Sequence, residues 1–383
     1  MEMGSGIDYR LISTDDHIIE PPDVWEGRLE AKFQDRAPHV IEVDDMDYWV
    51  FEGKQIPNIG LSVMAGRPYE EYSPKPVRFS DMRKGCYDPR ERLRDMDRDG
   101  VEISALFPTV TGMAGTLFGE CEDKELALRC LQTYNDWLAD TWCAADPKRF
   151  VGQMIVPIWD LDLAVEELQR GIGLGHRALS FPNAPESLGL PNIGDPHWDP
   201  LWDAVEEAGL PVSMHIASGS MRNSPLPLAV AAGTPAEVFV TVAPSSNFVS
   251  VAPLLWSGAL VKHPKLRFLS VEGGIGWIGY LIQRADEVYV KHRHWTRSVL
   301  KEKPSFYFKR QLYANFLDDE VGLAIRHHIG VDNIMFEVDY PHSDTTFPNS
   351  QELVAQRFKD IPADETRKIV RSNAIEFFDL DVE

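Results

Sequence analysis

The feature that most constrains this chain is an alternation. Eight short apolar runs, each of strand length, recur along it with amphipathic, helix-length segments between them. The strand-like runs are residues 9–16, 101–107, 151–157, 177–181, 211–216, 266–271, 311–315 and 333–339. Helical patterns occupy 89–99, 123–145, 161–172, 199–208, 248–261, 276–291 and 319–328, and the tail from 363 to 378 reads as two closing helices. Gly100 and Gly209 stand where helices stop. No sequence repeat underlies the rhythm. Eight strands alternating with helices predict an α/β fold, a (β/α)8 barrel, over an open sheet. We read residues 1–383 as a single barrel domain, a length within the range of such barrels. Two stretches break the rhythm, at about 20–85 after strand one and 217–246 after strand five. Both would rise from the C-terminal rim, and their length predicts a cap over a pocket, a subunit interface, or both.

Composition excludes several classes. Sixty acidic against 38 basic residues give a net charge of −22, which repels phosphate, so no nucleic-acid partner is expected. The densest basic stretch, 291–297, reads as a solvated helix end or loop. No run of 18 apolar residues occurs and the N-terminus lacks an apolar leader core, so neither a membrane partner nor secretion is expected, and the localisation expected is cytoplasmic. Cys86, Cys121, Cys130 and Cys143 form no C-x-x-C pair and are expected to be reduced thiols.

Chemistry-bearing residues collect at predicted strand ends. Strand one ends Ser13-Thr14-Asp15-Asp16-His17. Side chains alternate across a strand, so Asp15 and His17 share a face with chelating geometry, while Asp16 points away to serve the backbone or a salt bridge. His215 ends strand five, as a metal ligand or a satisfied core histidine. Asp339 ends strand eight, where a buried carboxylate calls for a cation. Asp15, His17, His215 and Asp339 together suit one divalent metal ion, zinc first, manganese or iron otherwise. Glu272, at the end of strand six, is a fifth ligand, a general acid/base or a helix-capping acid. His342, three residues past Asp339, is assigned a polar role on the same rim. Glu337 sits one layer below Asp339, with a buried ion pair as its simplest explanation. His197, His263, His327 and His328 read as structural or helix-terminal. The 274–279 segment also matches G-x-G-x-x-G, but no second strand ending in an acid follows, which disfavours a dinucleotide site. Neither a Walker loop nor a G-x-S-x-G elbow occurs.

Several phrases carry a family resemblance: Ser13 to His17 followed by Glu20-Pro21-Pro22-Asp23-Val24-Trp25, then Met214-His215-Ile216, Val271-Glu272-Gly273-Gly274-Ile275-Gly276-Trp277, and Asp339-Tyr340-Pro341-His342. Tyr134-Asn135-Asp136-Trp137, Asp146 to Phe150 and Asn373-Ala374 fit as well. The chain resembles the amidohydrolase-2 family, in its branch of aminocarboxymuconate-semialdehyde decarboxylase-like and γ-resorcylate decarboxylase-like enzymes. The resemblance implies a barrel with one divalent metal, His215 as the strand-five ligand, and Asp339 as a ligand able to shuttle a proton. The strand-one pair, Asp15 and His17, is close to the family's Glu-x-His form. Strand six departs, with Glu272 where many relatives have histidine. Strand four, 177–181, offers no lysine for a second metal.

The first expectation is therefore a metal-dependent hydrolase, with Asp339, Glu272 and His342 as its catalytic residues, acting on a small aromatic or cyclic substrate. The alternative is a non-oxidative decarboxylase of an aromatic or dienoic acid on the same site. That version needs a cationic clamp, for which Arg177 is the candidate. A barrel that keeps its metal without turnover is the non-enzyme reading. The aromatics in and beside the insertions (Trp25, Tyr48, Trp49, Phe51, Tyr69, Tyr72, Phe239 and Phe248) suit either an aromatic substrate or the core of the cap. A homo-oligomer, dimer or larger, is expected by family analogy.

Overall fold

The computed structural model describes residues 8–219 and 235–382. Eight parallel strands form one sheet in chain order: β1 (Leu11–Ile18), β2 (Val101–Pro108), β3 (Phe150–Met154), β4 (Ala178–Ser180), β5 (Pro211–His215), β6 (Arg267–Val271), β7 (Leu312–Phe316) and β8 (Ile334–Phe336). A parallel bridge between Asp16 and Tyr340 brings the two ends together, with the His17 N–H donating to the Tyr340 carbonyl at 2.6 Å and the Asp339 N–H to that of Asp15 at 2.9 Å. The predicted barrel is thus the observed fold. Parallel strands covered on both faces carry near-continuous apolar residues, which is why all eight were readable as runs.

Seven of the longer helices used below are α1 (Pro89–Asp99), α2 (Lys124–Trp137), α3 (Leu161–Leu174), α4 (Asp199–Ala208), α5 (Ser246–Trp256), α6 (Gly276–His292) and α7 (Pro304–Gln311). α1 shows how sharply its ends are written. The Asp88 carboxylate accepts the N–H groups of Arg90 and Glu91, Pro89 opens the helix, and Gly100 ends it at φ +74°. Sequence reasoning missed α7, an eighth helix α8 (Ser350–Arg357), and a three-stranded antiparallel sheet (His39–Val43, Met46–Phe51, Lys54–Pro57) inside the first insertion. All are short, and the sheet strands lie among glycines and acids that mask their alternation.

Two cores result. Ile12, Ile103, Phe107, Val151, Leu269 and Met335 fill the barrel interior, and Phe377 and Phe378 from the last helix (Asn373–Phe378) join them. A larger cluster lies between the strands and the helices. In the first insertion, Trp25 meets Trp49 edge-to-face at 5.3 Å, and Phe51 meets Phe118 at 5.7 Å. Trp25, Trp49 and Phe51 are buried and belong to that larger cluster, so they pack the first insertion onto the barrel's helical shell. Half of the second insertion, 220–234, lies outside the described residues. The helical run Ala236–Trp256 has the length and composition of a membrane span, at mean hydropathy 1.6, although its sequence is interrupted by polar residues. Its second half buries Asn247, Ser250, Val251, Leu254 and Leu255 against the barrel.

The glycine-rich turn before α6 has a structural explanation. The N–H groups of Ile275 and Gly276 both donate to the Asp319 carboxylate, at 2.8 and 2.7 Å, and so does that of Gly322 at 2.7 Å. The anion that a dinucleotide phosphate would supply at this helix start is the chain's own side chain. Nor does Glu272 cap this helix. Replacing Asp319 with Ala strands three donors and is expected to lower unfolding stability by about 2 kcal/mol. A denaturant titration checks this, and a shift in midpoint indistinguishable from zero would contradict it.

Candidate metal centre

Strand one must turn two consecutive side-chain parities inward. Ile12 belongs to the interior cluster, so strict alternation would put Thr14 and Asp16 inside as well. The register with β2 instead slips: Ser13 pairs with Ser104 and Asp16 with Leu106, which places one extra residue on β1. This bulge reverses the parity and aims Asp15 and His17 at the barrel axis. Asp16 faces outward, where its carboxylate accepts from the Tyr340 N–H at 2.9 Å and from the Ser104 hydroxyl. Burial raises its pKa to about 7 despite the nearby Arg92 guanidinium.

Five strand ends then converge. His17 Nε2 lies 3.4 Å from both Asp15 Oδ1 and Asp339 Oδ1. His215 Nε2 lies 3.4 Å from Asp15 Oδ2, 3.1 Å from Glu272 Oε2 and 3.1 Å from His17 Nε2. His342 Nδ1 is 2.8 Å from Asp339 Oδ1, and its ring stacks on His17 with centroids 3.8 Å apart. Every site residue expected from the sequence is therefore in one cluster: Asp15, His17, His215 and Glu272 form one possible donor group, and His17, Glu272, Asp339 and His342 another. Phe107 closes one side, 4.9 Å from the His215 ring.

The fit to a cation can be tested on proton positions. His215 Nδ1 is 2.6 Å from the Ile216 carbonyl, so that nitrogen carries the proton and donates. In the neutral ring Nε2 then presents a lone pair, and it faces another imidazole nitrogen and two carboxylates. Both oxygens of Asp15 and both of Asp339 are buried without a hydrogen-bond donor. Such groups are costly unless a positive charge lies among them. Without one, the pKa values show the strain. Burial lowers His215, but the Asp15 and Glu272 carboxylates outweigh it and push it up to about 9. Burial drives His17 well down, aided by His342 and His215. It raises Asp339 well above the carboxylate range, with Glu272 and Asp15 adding to the effect, and raises Glu272 likewise. Two imidazoles and a set of carboxylates fit one divalent cation, and the donors close enough to share one are Asp15, His17, His215 and Glu272, or His17, Glu272, Asp339 and His342.

Exposure divides the cluster into two tiers. The side chains of Asp15, His17 and Asp339 are fully buried and that of His215 nearly so, whereas Glu272 and His342 keep 17% and 13% exposure. The first tier is inside the barrel and the second faces outward from it. Glu272 and Asp339 both hold left-handed backbone, at φ +59° and +54°. Non-glycine residues pay for that conformation, and it is found where a site demands a particular side-chain direction.

Residues behind the site set its shape. Glu337 does not sit in an ion pair. Its Oε2 accepts the Glu272 N–H at 3.3 Å, its Oε1 has no hydrogen-bond partner among the described residues, and burial, with the Asp15 and Glu272 carboxylates, pushes its pKa well above the usual range. Asn315 also accepts the Glu272 N–H, at 2.9 Å, and donates to Thr14. Arg92 grips the His17 carbonyl and, at 2.8 Å, that of Gly85. Glu20 accepts the N–H groups of Thr109 and Val110, fixing the loop after β2. Arg92 lay unnoticed in a charged helix, and only its burial marks it. Arg177 is not a substrate clamp: it precedes β4, at the opposite end of the barrel, and its guanidinium donates to the Asp379 carbonyl. His197 is exposed, His263 is buried beside Asp199 at 3.3 Å, and His327 pairs with Glu365, so these are structural, as expected.

Comparison with known proteins agrees with this architecture. The chain is 25% identical over 312 residues to 2-amino-3-carboxymuconate-6-semialdehyde decarboxylase of Dictyostelium discoideum, covering 79% of this chain and 80% of that one. It is 28% identical over 314 residues to gamma-resorcylate decarboxylase of Rhizobium sp. (strain MTP-10005), covering 76% and 86%. The crystal structure of an amidohydrolase from Mycobacterium avium subsp. paratuberculosis K-10 superposes with a TM-score of 0.76 at 23% identity, over 97% of this chain and 100% of that one. The family described as Amidohydrolase, of the amidohydrolase-2 type, matches residues 36–380. This chain belongs to that family.

Proposed function

We propose that this protein is a metal-dependent, non-oxidative decarboxylase of a small aromatic or dienoic carboxylic acid. Both curated relatives reported above carry decarboxylase names, which favours this reading over the hydrolase that the sequence first suggested. The observation that carries it is the two-tier cluster: buried donors without partners below, and a carboxyl and an imidazole facing outward above.

A divalent cation, zinc by donor preference with manganese an alternative, would neutralise the clustered carboxylates and polarise a substrate carboxylate together with a neighbouring oxygen. Asp15, His17, His215 and Asp339 would hold it. Glu272 is the proton donor in this proposal: its carboxyl is raised by burial and is the more exposed of the cluster's acids. It delivers a proton to the carbon that bears the carboxylate. The π electrons at that carbon form the new C–H bond; the carbon–carboxylate bond then breaks, its electron pair restores the π bond of the ring or diene, and CO₂ leaves. His342 lies beside Asp339, its Nδ1 2.8 Å from Oδ1, and in this proposal its ring is the second group that meets the substrate or the returning proton. The apolar wall at Phe107 excludes water from this step.

Two outcomes check the proposal. Elemental analysis of the purified chain should find about one divalent ion per chain, and His215→Ala should lose it, because one of four donors is removed and an acid cluster is left unneutralised. Metal content equal in the two proteins would remove His215 from the ligand set. Glu272→Gln should keep the metal while turnover of aromatic carboxylates falls by about 10²- to 10⁴-fold. Reaction in D₂O should place one deuterium on the carbon that lost CO₂. Hydrolysis of esters or amides with no CO₂ release from any carboxylic acid would instead favour the hydrolytic reading.

A further inference from the structure

A second site lies away from the barrel axis, where α6 ends. The chain from 288 to 301 contains no acidic residue and four cations, Lys291, Arg293, Arg297 and Lys301, in a protein of net charge −22. Its turn lies beside the end of α5 and borders an open surface groove of about 380 Å³ lined by, among others, Arg293, Arg297, His292, Thr296, Trp256 and Val299.

The arginines here differ from most others in the molecule. Arg36, Arg170 and Arg357, for example, each bond two carboxylates. Arg293 bonds only backbone carbonyls, those of Tyr289 and Val290, and lies 5.1 Å from the Tyr289 ring centre. These contacts hold its guanidinium in place without neutralising it. Arg297 makes no ion pair or hydrogen bond among the described residues, and its backbone is held at φ +54°. The turn is anchored rather than loose: the Tyr289 hydroxyl donates to the Leu300 carbonyl, the Leu300 N–H to Ser298, and Leu300 is buried. The half-buried Trp256 lines the same groove, with Val288 and the exposed Val299.

Two guanidiniums without counter-ions beside an indole suit one kind of ligand. Guanidinium recognises carboxylate or phosphate through paired N–H donors, and an indole wall takes a flat ring. We propose that this groove binds a small aryl anion, an aromatic ring bearing a carboxylate or a phosphate. The inference is independent of the reaction at the metal centre, because none of its residues belongs to that cluster.

The test is calorimetric titration of the metal-loaded full-length protein and of its R293Q/R297Q variant, with benzoate, phenyl phosphate, inorganic phosphate and neutral benzamide. Wild type should bind benzoate or phenyl phosphate at a site that the variant weakens at least about tenfold and that salt weakens too. Benzamide should not compete for it. Which of the two aryl anions binds more tightly separates the carboxylate source from the phosphate source. Turnover at the metal centre and the thermal midpoint should stay unchanged in the variant. Equal binding by wild type and variant, or no binding up to about 10 mM, overturns the proposal. Inorganic phosphate binding as tightly as phenyl phosphate overturns the role of the indole wall. Dissociation of an oligomer by the variant, without any ligand effect, would assign the arginines to a subunit contact instead.

Discussion

The burial of acidic side chains with no donor to satisfy them is the constraint around which this molecule is arranged. Asp15 and Asp339 present four buried oxygens without a hydrogen bond, and Glu337 adds a fifth just beneath. A folded chain tolerates such a cluster only if protons or a cation enter it. The barrel supplies both means. His215 takes a proton readily when no other positive charge is present, and the carboxyls of Glu272, Glu337 and Asp339 hold theirs beyond the ordinary range. A divalent cation replaces those protons, so metal affinity in such a site is tied to pH by the same groups that bind it.

Geometry then separates structural from chemical roles. The β1 bulge, the left-handed backbone at Glu272 and Asp339, and the grip of Arg92 on the His17 carbonyl all act on side-chain direction. Each is a local cost supported by a surrounding hydrogen bond: Asp16 to Tyr340, Asn315 to Glu272, Arg92 to Gly85. The result fixes the donors with no freedom while leaving Glu272 and His342 open on one side. A glutamate on strand six suits this arrangement. Its carboxyl reaches His215 and stays accessible, and Glu337 and Asn315 hold its backbone amide from below.

How much of this the sequence carried depends on how local each cause is. The eight strands were legible because both of their faces are buried, which leaves an apolar run whatever the neighbours are. Asp15 with His17, His215 and Asp339 were legible because polar residues at the ends of such runs are conspicuous. The outward face of Asp16 was also correct, although simple alternation gives it only if Asp15 is already taken as inward. The bulge that makes this consistent with Ile12 is a property of pairing with β2, and one strand's sequence does not encode its register against another. Arg177 misled for a related reason: it stands beside an apolar run, but at the end where strand four begins. The G-x-G-x-x-G segment carried a true signal, a helix start that gathers an anion, while the identity of that anion lay 43 residues downstream in Asp319.

Charge distribution links the two parts of the molecule that bear on ligands. A chain of net charge −22 repels anions at long range, and a buried acid cluster does so at short range. Under the proposed decarboxylase reading, an acidic substrate needs local positive charge at the metal centre, and a divalent cation there would provide it; Arg177, at the other end of the barrel, does not. The same reasoning applies to the turn after α6. Many arginines elsewhere among the described residues pair with carboxylates, as Arg36, Arg170 and Arg357 do, because acids are abundant. At 288–301 acids are absent from the sequence itself, so Arg293 and Arg297 keep their charge free. In a protein this acidic, an uncompensated pair of guanidiniums beside an indole is a departure from the rest of the surface, and electrostatic attraction of an anion is the physical effect it produces.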